Sequence, residues 1–161
     1  MSKVVSLEEI KKIWPNNAPD INFVPKYVSK YKNELIVIKY GGNVLIDRNV
    51  FENFIENIFI LNKLGLSVVV VHGGGPRIEK ELKQKKIQTK FLNGLRITDE
   101  KVIKIVEKVL INFNNDIVNS LNKKGSKAVS INSKINNIIN IIPDNHELGF
   151  VGIPNKIDTD I

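Results

Sequence analysis

Val68-Val69-Val70-Val71-His72-Gly73-Gly74-Gly75-Pro76-Arg77 is the stretch that decides the fold. The valine run has no polar alternation, so it reads as a strand covered on both faces, the usual state of a parallel sheet. Three glycines follow its carboxyl end, and Pro76 then sits near the first turn of a helix, where a missing N–H costs little. A second segment is built the same way: Ile36-Val37-Ile38-Lys39-Tyr40-Gly41-Gly42-Asn43 is an apolar strand that ends in a lysine and paired glycines. In open α/β sheets ligands bind beyond the carboxyl ends of the strands. Gly41, Gly42, Gly73, Gly74 and Gly75 let backbone amides approach an anion with no Cβ in the way, and Lys39 places a cation beside them. Such strand ends suit phosphoryl transfer or phosphate binding.

The surrounding elements follow from caps and periodicity. Ser6-Leu7-Glu8-Glu9 has capping-box spacing and opens a short helix that Pro15 should end; Asn16 to Asp20 is a linker. A helical stretch from Val24 to Lys32 carries Tyr27, Val28 and Tyr31 on one side, a docking face. Asp47 caps a helix from Arg48 to Leu64 with Phe51, Phe54, Ile55, Ile58 and Leu61 on one face, and Gly65 closes it. Strand, helix and strand give a βαβ unit. The helix after the triple glycine runs to about Lys86. Phe91 to Ile97 is a hairpin around Asn93-Gly94, and Thr98 caps a long helix to about Lys123. Lys127 to Ile131 is expected as the next buried strand, Ile135 to Ile142 as another, and Glu147 to Gly152 as a turn into a further one.

Composition excludes several classes. The 161 residues suit one domain with its own core. There is no cysteine, and the two histidines, His72 and His146, are too few for a histidine-rich metal centre, so no metal ligands are expected. The N-terminus lacks a signal-type apolar region, and no run approaches the roughly 18 apolar residues of a membrane span. A soluble cytoplasmic protein without a membrane partner is expected. The net charge of +7 is spread through the chain with few aromatics, and no stacking platform alternates with basic residues, so nucleic acid is not an expected partner. The basic cluster Lys83-Gln84-Lys85-Lys86 more simply complements a helix dipole.

Individual residues carry the chemistry. Lys39, ending a buried strand before Gly41-Gly42, can neutralise charge on a transferring phosphoryl group; the plainer reading is a strand emerging into solvent. The Gly73-Gly74-Gly75 run can form a nest of amide donors at a helix N-terminus, or merely a tight turn. Arg96 offers a planar fork for a carboxylate, which makes a dicarboxylate a natural client, or pairs locally with Asp99 or Glu100. His72 reads as a general base or, at least as readily, as a structural donor packed at a strand end, and no catalysis is assigned to it.

At these residues the chain resembles the acetylglutamate kinases of the amino acid kinase family, from about Phe23 to its last residue. Ile38 to Asn43, Val71 to Pro76, Asn93-Gly94-Leu95-Arg96-Ile97-Thr98-Asp99 and Asn115-Asp116-Ile117-Val118-Asn119 fall in the family's order and spacing. The fold implied is a three-layer αβα sandwich with a mainly parallel sheet, of which this chain carries the N-terminal lobe only. The resemblance implies ATP-dependent phosphorylation of N-acetyl-L-glutamate, with ATP and Mg2+, in arginine synthesis. Lys39 then stabilises the transferring phosphoryl group, and Gly41, Gly42 and Gly73 serve as phosphate-binding positions. Gly74 and Gly75 bind acetylglutamate and phosphate, and Arg96 holds the substrate carboxylate.

By the same resemblance, residues 1–33 are a helical extension like that of arginine-inhibited members, where it interlaces dimers into a hexamer. Residues 34–161 are the substrate-binding lobe, ending before the nucleotide lobe. A homo-oligomer is therefore implied, with arginine as an inhibitor. Family members continue past this point with a second phosphate-facing lysine, an Asn and an Asp, so the chain alone is expected to bind substrate poorly and turn it over negligibly. The alternatives are a catalytically inactive binding or oligomerisation module, and another amino acid kinase acting on glutamate or carbamate.

Overall fold

Short polar side chains that take up the first amides of helices set much of the local structure. Ser6 and Glu9 close a reciprocal capping box on α1 (Leu7–Lys11), and Asp47 Oδ1 accepts from the Val50 amide at 3.0 Å to open α3 (Arg48–Lys63). Gly65, at φ +81°, adopts the left-handed conformation that lets the chain leave α3, with the Leu66 amide donating back to the Leu61 carbonyl. The computed structural model describes residues 6–41 and 47–159. Two compact units emerge: Met1–Gly73 with Asn119–Ala128, and Gly74–Val118 with Val129–Ile161.

In the first unit, α1, a 3-10 turn (Ile21–Phe23) and α2 (Val24–Tyr31) precede β1 (Leu35–Tyr40); α3 then leads to β2 (Ser67–His72). The two strands pair in parallel, from Leu35 opposite Ser67 to Tyr40 opposite His72. Ile10, Val24, Ile60, Leu64 and Leu66 form the core, with Trp14, Val28, Tyr31 and Ile36 packed against it. The expected docking face of α2 is therefore split: Val28 and Tyr31 serve this core, while Tyr27 and the nearby Phe23 are exposed. α1 stops at Lys11, short of Pro15.

The sheet departs from expectation in its cover. Ile36, Ile38 and Tyr40 point to the helices, where Tyr40 stacks on Phe54 of α3 with centroids 3.9 Å apart. Leu35 and Val37 on the opposite face are 64% and 60% exposed, and Val71 of β2 is 50% exposed. Of the valine run, Val68, Val69 and Val70 are thus half-buried and Val71 is exposed, rather than all four being fully covered.

Lys127 to Ile131 is not a strand. The physical reason is local: the Asn122 side chain accepts from the Ala128 amide at 2.8 Å and donates to the Ala128 carbonyl at 3.1 Å, occupying both groups that Ala128 would bring to a ladder.

In the second unit, α4 (Gly75–Gln84) is followed by a ribbon of β3 (Phe91–Leu92) and β4 (Leu95–Arg96). Asn93 and Gly94 both have positive φ, 50° and 82°, the backbone that a two-residue hairpin turn demands. The long helix α5 (Glu100–Lys123) crosses from this unit into the first one after Val118. Its cap is Asp99 rather than Thr98: Asp99 Oδ1 accepts from the Lys101 and Val102 amides at 2.9 and 2.8 Å. Thr98 is buried, donates to the Arg96 carbonyl and pairs with the 148–150 segment, so its hydroxyl is already engaged. Ile78 and Leu82 of α4 and Val102 and Ile105 of α5 make the core. The strand expected from Ile135 begins later: a helical turn, α6 (Ser133–Asn136), precedes β5 (Ile139–Pro143), which pairs antiparallel with β6 (Gly152–Ile157) beyond a 3-10 turn at His146–Leu148.

Candidate functional site

β1 and β2 end side by side, and the pairing runs one residue further: the Gly73 amide donates to the Tyr40 carbonyl at 3.0 Å. Gly41 and Gly73 therefore emerge from adjacent strand ends. Neither has positive φ, and a Cβ built on either meets nothing within 4 Å. Packing within the protein does not ask for glycine at these positions. Since the Gly73 N–H already bonds Tyr40, what Gly73 offers an anion is close backbone approach rather than a donor. Gly42 lies outside the described residues. Lys39 is exposed on the open face of β1 opposite Val71, and among the described residues it forms no ion pair. His72 Nδ1 is 3.1 Å from the Gly73 carbonyl, to which it donates, as expected of a structural imidazole.

In the second unit Gly74 caps α4 without any side-chain cap, and Gly75 opens the helix with Pro76 behind it. The first turn of the helix keeps amides with no intrahelical acceptor, at the end where the dipole favours negative charge. Gly75 is exposed, with open space where a Cβ would be, whereas a Cβ on Gly74 would lie 2.5 Å from Leu110 Cδ2. Arg77 fastens this turn to α5: its guanidinium lies 3.8 Å from the Phe113 ring centroid and donates to Asp116 Oδ2 at 3.1 Å.

Arg96 is held on three sides. Nη2 donates to Glu79 Oε1 at 2.5 Å, Nη1 donates to Thr89 Oγ1 at 2.5 Å, and the guanidinium stacks 4.6 Å from the centroid of Phe91, its partner across the hairpin. Its side chain is only 13% exposed. The local partners expected for it are engaged otherwise, Asp99 in capping α5 and Glu100 with Lys104 at 2.6 Å. Among the described residues no three His, Cys, Asp or Glu side chains gather as a metal centre, and no helix is long and apolar enough to cross a membrane.

The profile of the amino acid kinase family matches residues 34–160, most of the chain. The chain belongs to the amino acid kinase family. Among curated amino acid kinase relatives, the acetylglutamate kinase of Pelagibacter ubique is 48% identical over 151 residues, covering 94% of this chain and 52% of that protein. The acetylglutamate kinase of Ruegeria pomeroyi is 36% identical, over 95% of this chain and 54% of that one. The chain thus spans about half the length of the curated relatives it matches. Among solved structures, an N-acetylglutamate synthase from Neisseria gonorrhoeae, complexed with coenzyme A and N-acetylglutamate, superposes with a TM-score of 0.69 over 86% of this chain and 32% of that one. At 18% identity it shows the α/β fold alone.

For an amino acid kinase chain, the sequence singled out the glycines, Lys39 and Arg96 but not the shell around the arginine. Phe91 was within reach, because an Asn93-Gly94 turn sets Phe91 opposite Arg96. Glu79 and Thr89 were not, since no local periodicity links α4 and the 87–90 loop to the hairpin.

Proposed function

We propose that this chain is the substrate-binding half of an enzyme that transfers the γ-phosphoryl group of ATP to the side-chain carboxylate of N-acetyl-L-glutamate, forming N-acetyl-L-glutamyl 5-phosphate in arginine biosynthesis. The observation that carries the reading is Arg96: an arginine little exposed, squared by Thr89 and Phe91 and holding the Glu79 carboxylate at 2.5 Å, has a geometry suited to a carboxylate. Relatives named acetylglutamate kinase supply the substrate.

The chemistry fits residues that stabilise charge rather than move protons. A carboxylate with an ordinary pKa near 4 is already anionic at neutral pH, so the nucleophile needs no base. One carboxylate oxygen attacks the γ-phosphorus, and the bond to the ADP oxygen breaks. The task left to the protein is to bring two anions together and offset the charge on the equatorial oxygens. Lys39 supplies the cation, and Gly41, Gly42 and Gly73 allow phosphate to approach the backbone. Gly74 and Gly75 receive the substrate at the amino end of α4. Magnesium enters with ATP.

The proposal extends to setting and assembly. The reaction belongs in the cytoplasm, and residues 34–161 form the substrate lobe. Residues 1–33 serve homo-oligomerisation, in a hexamer, through the exposed Phe23 and Tyr27, with arginine as an inhibitor; this part of the chain also shares its core with α3 through Ile10 and Val24. Calorimetric titration of the chain with N-acetyl-L-glutamate tests the reading. Arg96→Ala is expected to weaken binding by about 10- to 100-fold, the worth of a charge-assisted bond. Equal affinity in the two forms would refute it, and binding of glutamate in preference to its acetyl derivative would favour another amino acid kinase.

A further inference from the structure

The Arg96 guanidinium already carries a carboxylate, that of Glu79. The two partners differ in freedom: the Arg96 side chain is 13% exposed, whereas that of Glu79 is 54% exposed. Thr89 and Phe91 keep Arg96 in place without Glu79, so the glutamate is the member that can leave. It has somewhere to go. Lys83 stands four residues on along α4, the favourable order for a glutamate–lysine pair, and both residues line a groove of about 480 Å³ beside Thr89 and Phe91.

We propose that Glu79 is a resident carboxylate that competes with the substrate for Arg96 and so sets the affinity of the site. This rests on the reading of Arg96 as the carboxylate receptor. A guanidinium has five N–H donors, enough to bond two carboxylates, but a single positive charge. With Glu79 in place an arriving carboxylate meets a nearly neutral pair and a like charge next to it. Removing the Glu79 charge while keeping its shape and its acceptor oxygen therefore raises affinity. A glutamate that merely braced Arg96 would do the reverse when substituted.

The test is an NMR titration of the full chain, labelled with 15N in its arginine side chains, with N-acetyl-L-glutamate. The Nε–Hε signal of Arg96 is assigned by its loss in Arg96→Lys. Glu79→Gln is expected to lower the midpoint by about threefold to fivefold, the scale of a partly exposed ion pair, and to have no such effect when combined with Arg96→Ala, where the midpoint is read by calorimetry. An unchanged or raised midpoint in Glu79→Gln, with binding still dependent on Arg96, overturns the role of Glu79 and leaves that of Arg96 standing. Calorimetric binding that ignores Arg96→Ala overturns the receptor reading and the competition with it, as does absence of binding by wild type and Glu79→Gln alike.

Discussion

Gly74→Ala tests whether the start of α4 is seated against α5 as described. The added methyl would stand 2.5 Å from Leu110 Cδ2, 3.2 Å from Ile78 Cδ1 and 3.5 Å from Leu110 Cγ. Carbon atoms settle near 3.5 to 4.0 Å, so Leu110 has to retreat by about 1 Å or change rotamer. Leu110 packs on the cluster of Ile78, Leu82, Val102 and Ile105, where such a shift is felt by its neighbours. Overpacking of this kind costs about 1 to 3 kcal/mol. The Gly74 φ of −152° is not in the left-handed region that favours glycine. Urea unfolding followed by far-ultraviolet circular dichroism reads the loss as a lower midpoint. Leu110→Ala removes the obstructing atoms, so in that background Gly74→Ala should cost less than about 0.5 kcal/mol, a coupling of 0.5 to 3 kcal/mol between contacting residues. An equal cost in both backgrounds would refute the steric argument and point to the helix cap itself.

Two further expectations concern single residues. Asp99→Ala removes the acceptor for the Lys101 and Val102 amides and should lower stability by about 1 kcal/mol in the same urea assay, whereas Thr98→Val, which spares the cap, should leave the first turn of α5 protected from amide exchange. Lys39→Ala, placed in a chimera whose second half comes from the Pelagibacter ubique acetylglutamate kinase, should cut acyl-phosphate formation, trapped as hydroxamate, by about 100- to 1000-fold. Unchanged turnover would remove Lys39 from the mechanism.

What the sequence disclosed tracks the range of the forces involved. Caps and tight turns are decided within four or five residues, so Ser6, Asp47, Gly65 and the Asn93-Gly94 hairpin could be read directly. The cap of α5 was misplaced by one residue because Thr98 and Asp99 are both good cap formers; a distant pairing with Leu148 and Phe150 takes Thr98 out of contention. Strand assignment from apolar runs worked where a partner exists, as for β1 and β2, and failed at Lys127 to Ile131, where one side chain intercepts the ladder. The candidate site divides likewise. Its glycines and its cations announce themselves by type, but Glu79, which reaches Arg96 from another element, carries no local signature.

The hold of Asn122 on Ala128 has a bearing on the solubility of the chain. A side-chain amide presents the same donor and acceptor as a peptide unit, so Ala128 is met by a surrogate neighbour one residue long. Around it lies Lys127-Ala128-Val129-Ser130-Ile131, with Val129 77% exposed. A bare stretch of that kind is a template on which a second molecule can dock edge to edge. With the Ala128 N–H and C=O both taken by Asn122, the edge on which that residue would bond lacks its central rung for such stacking.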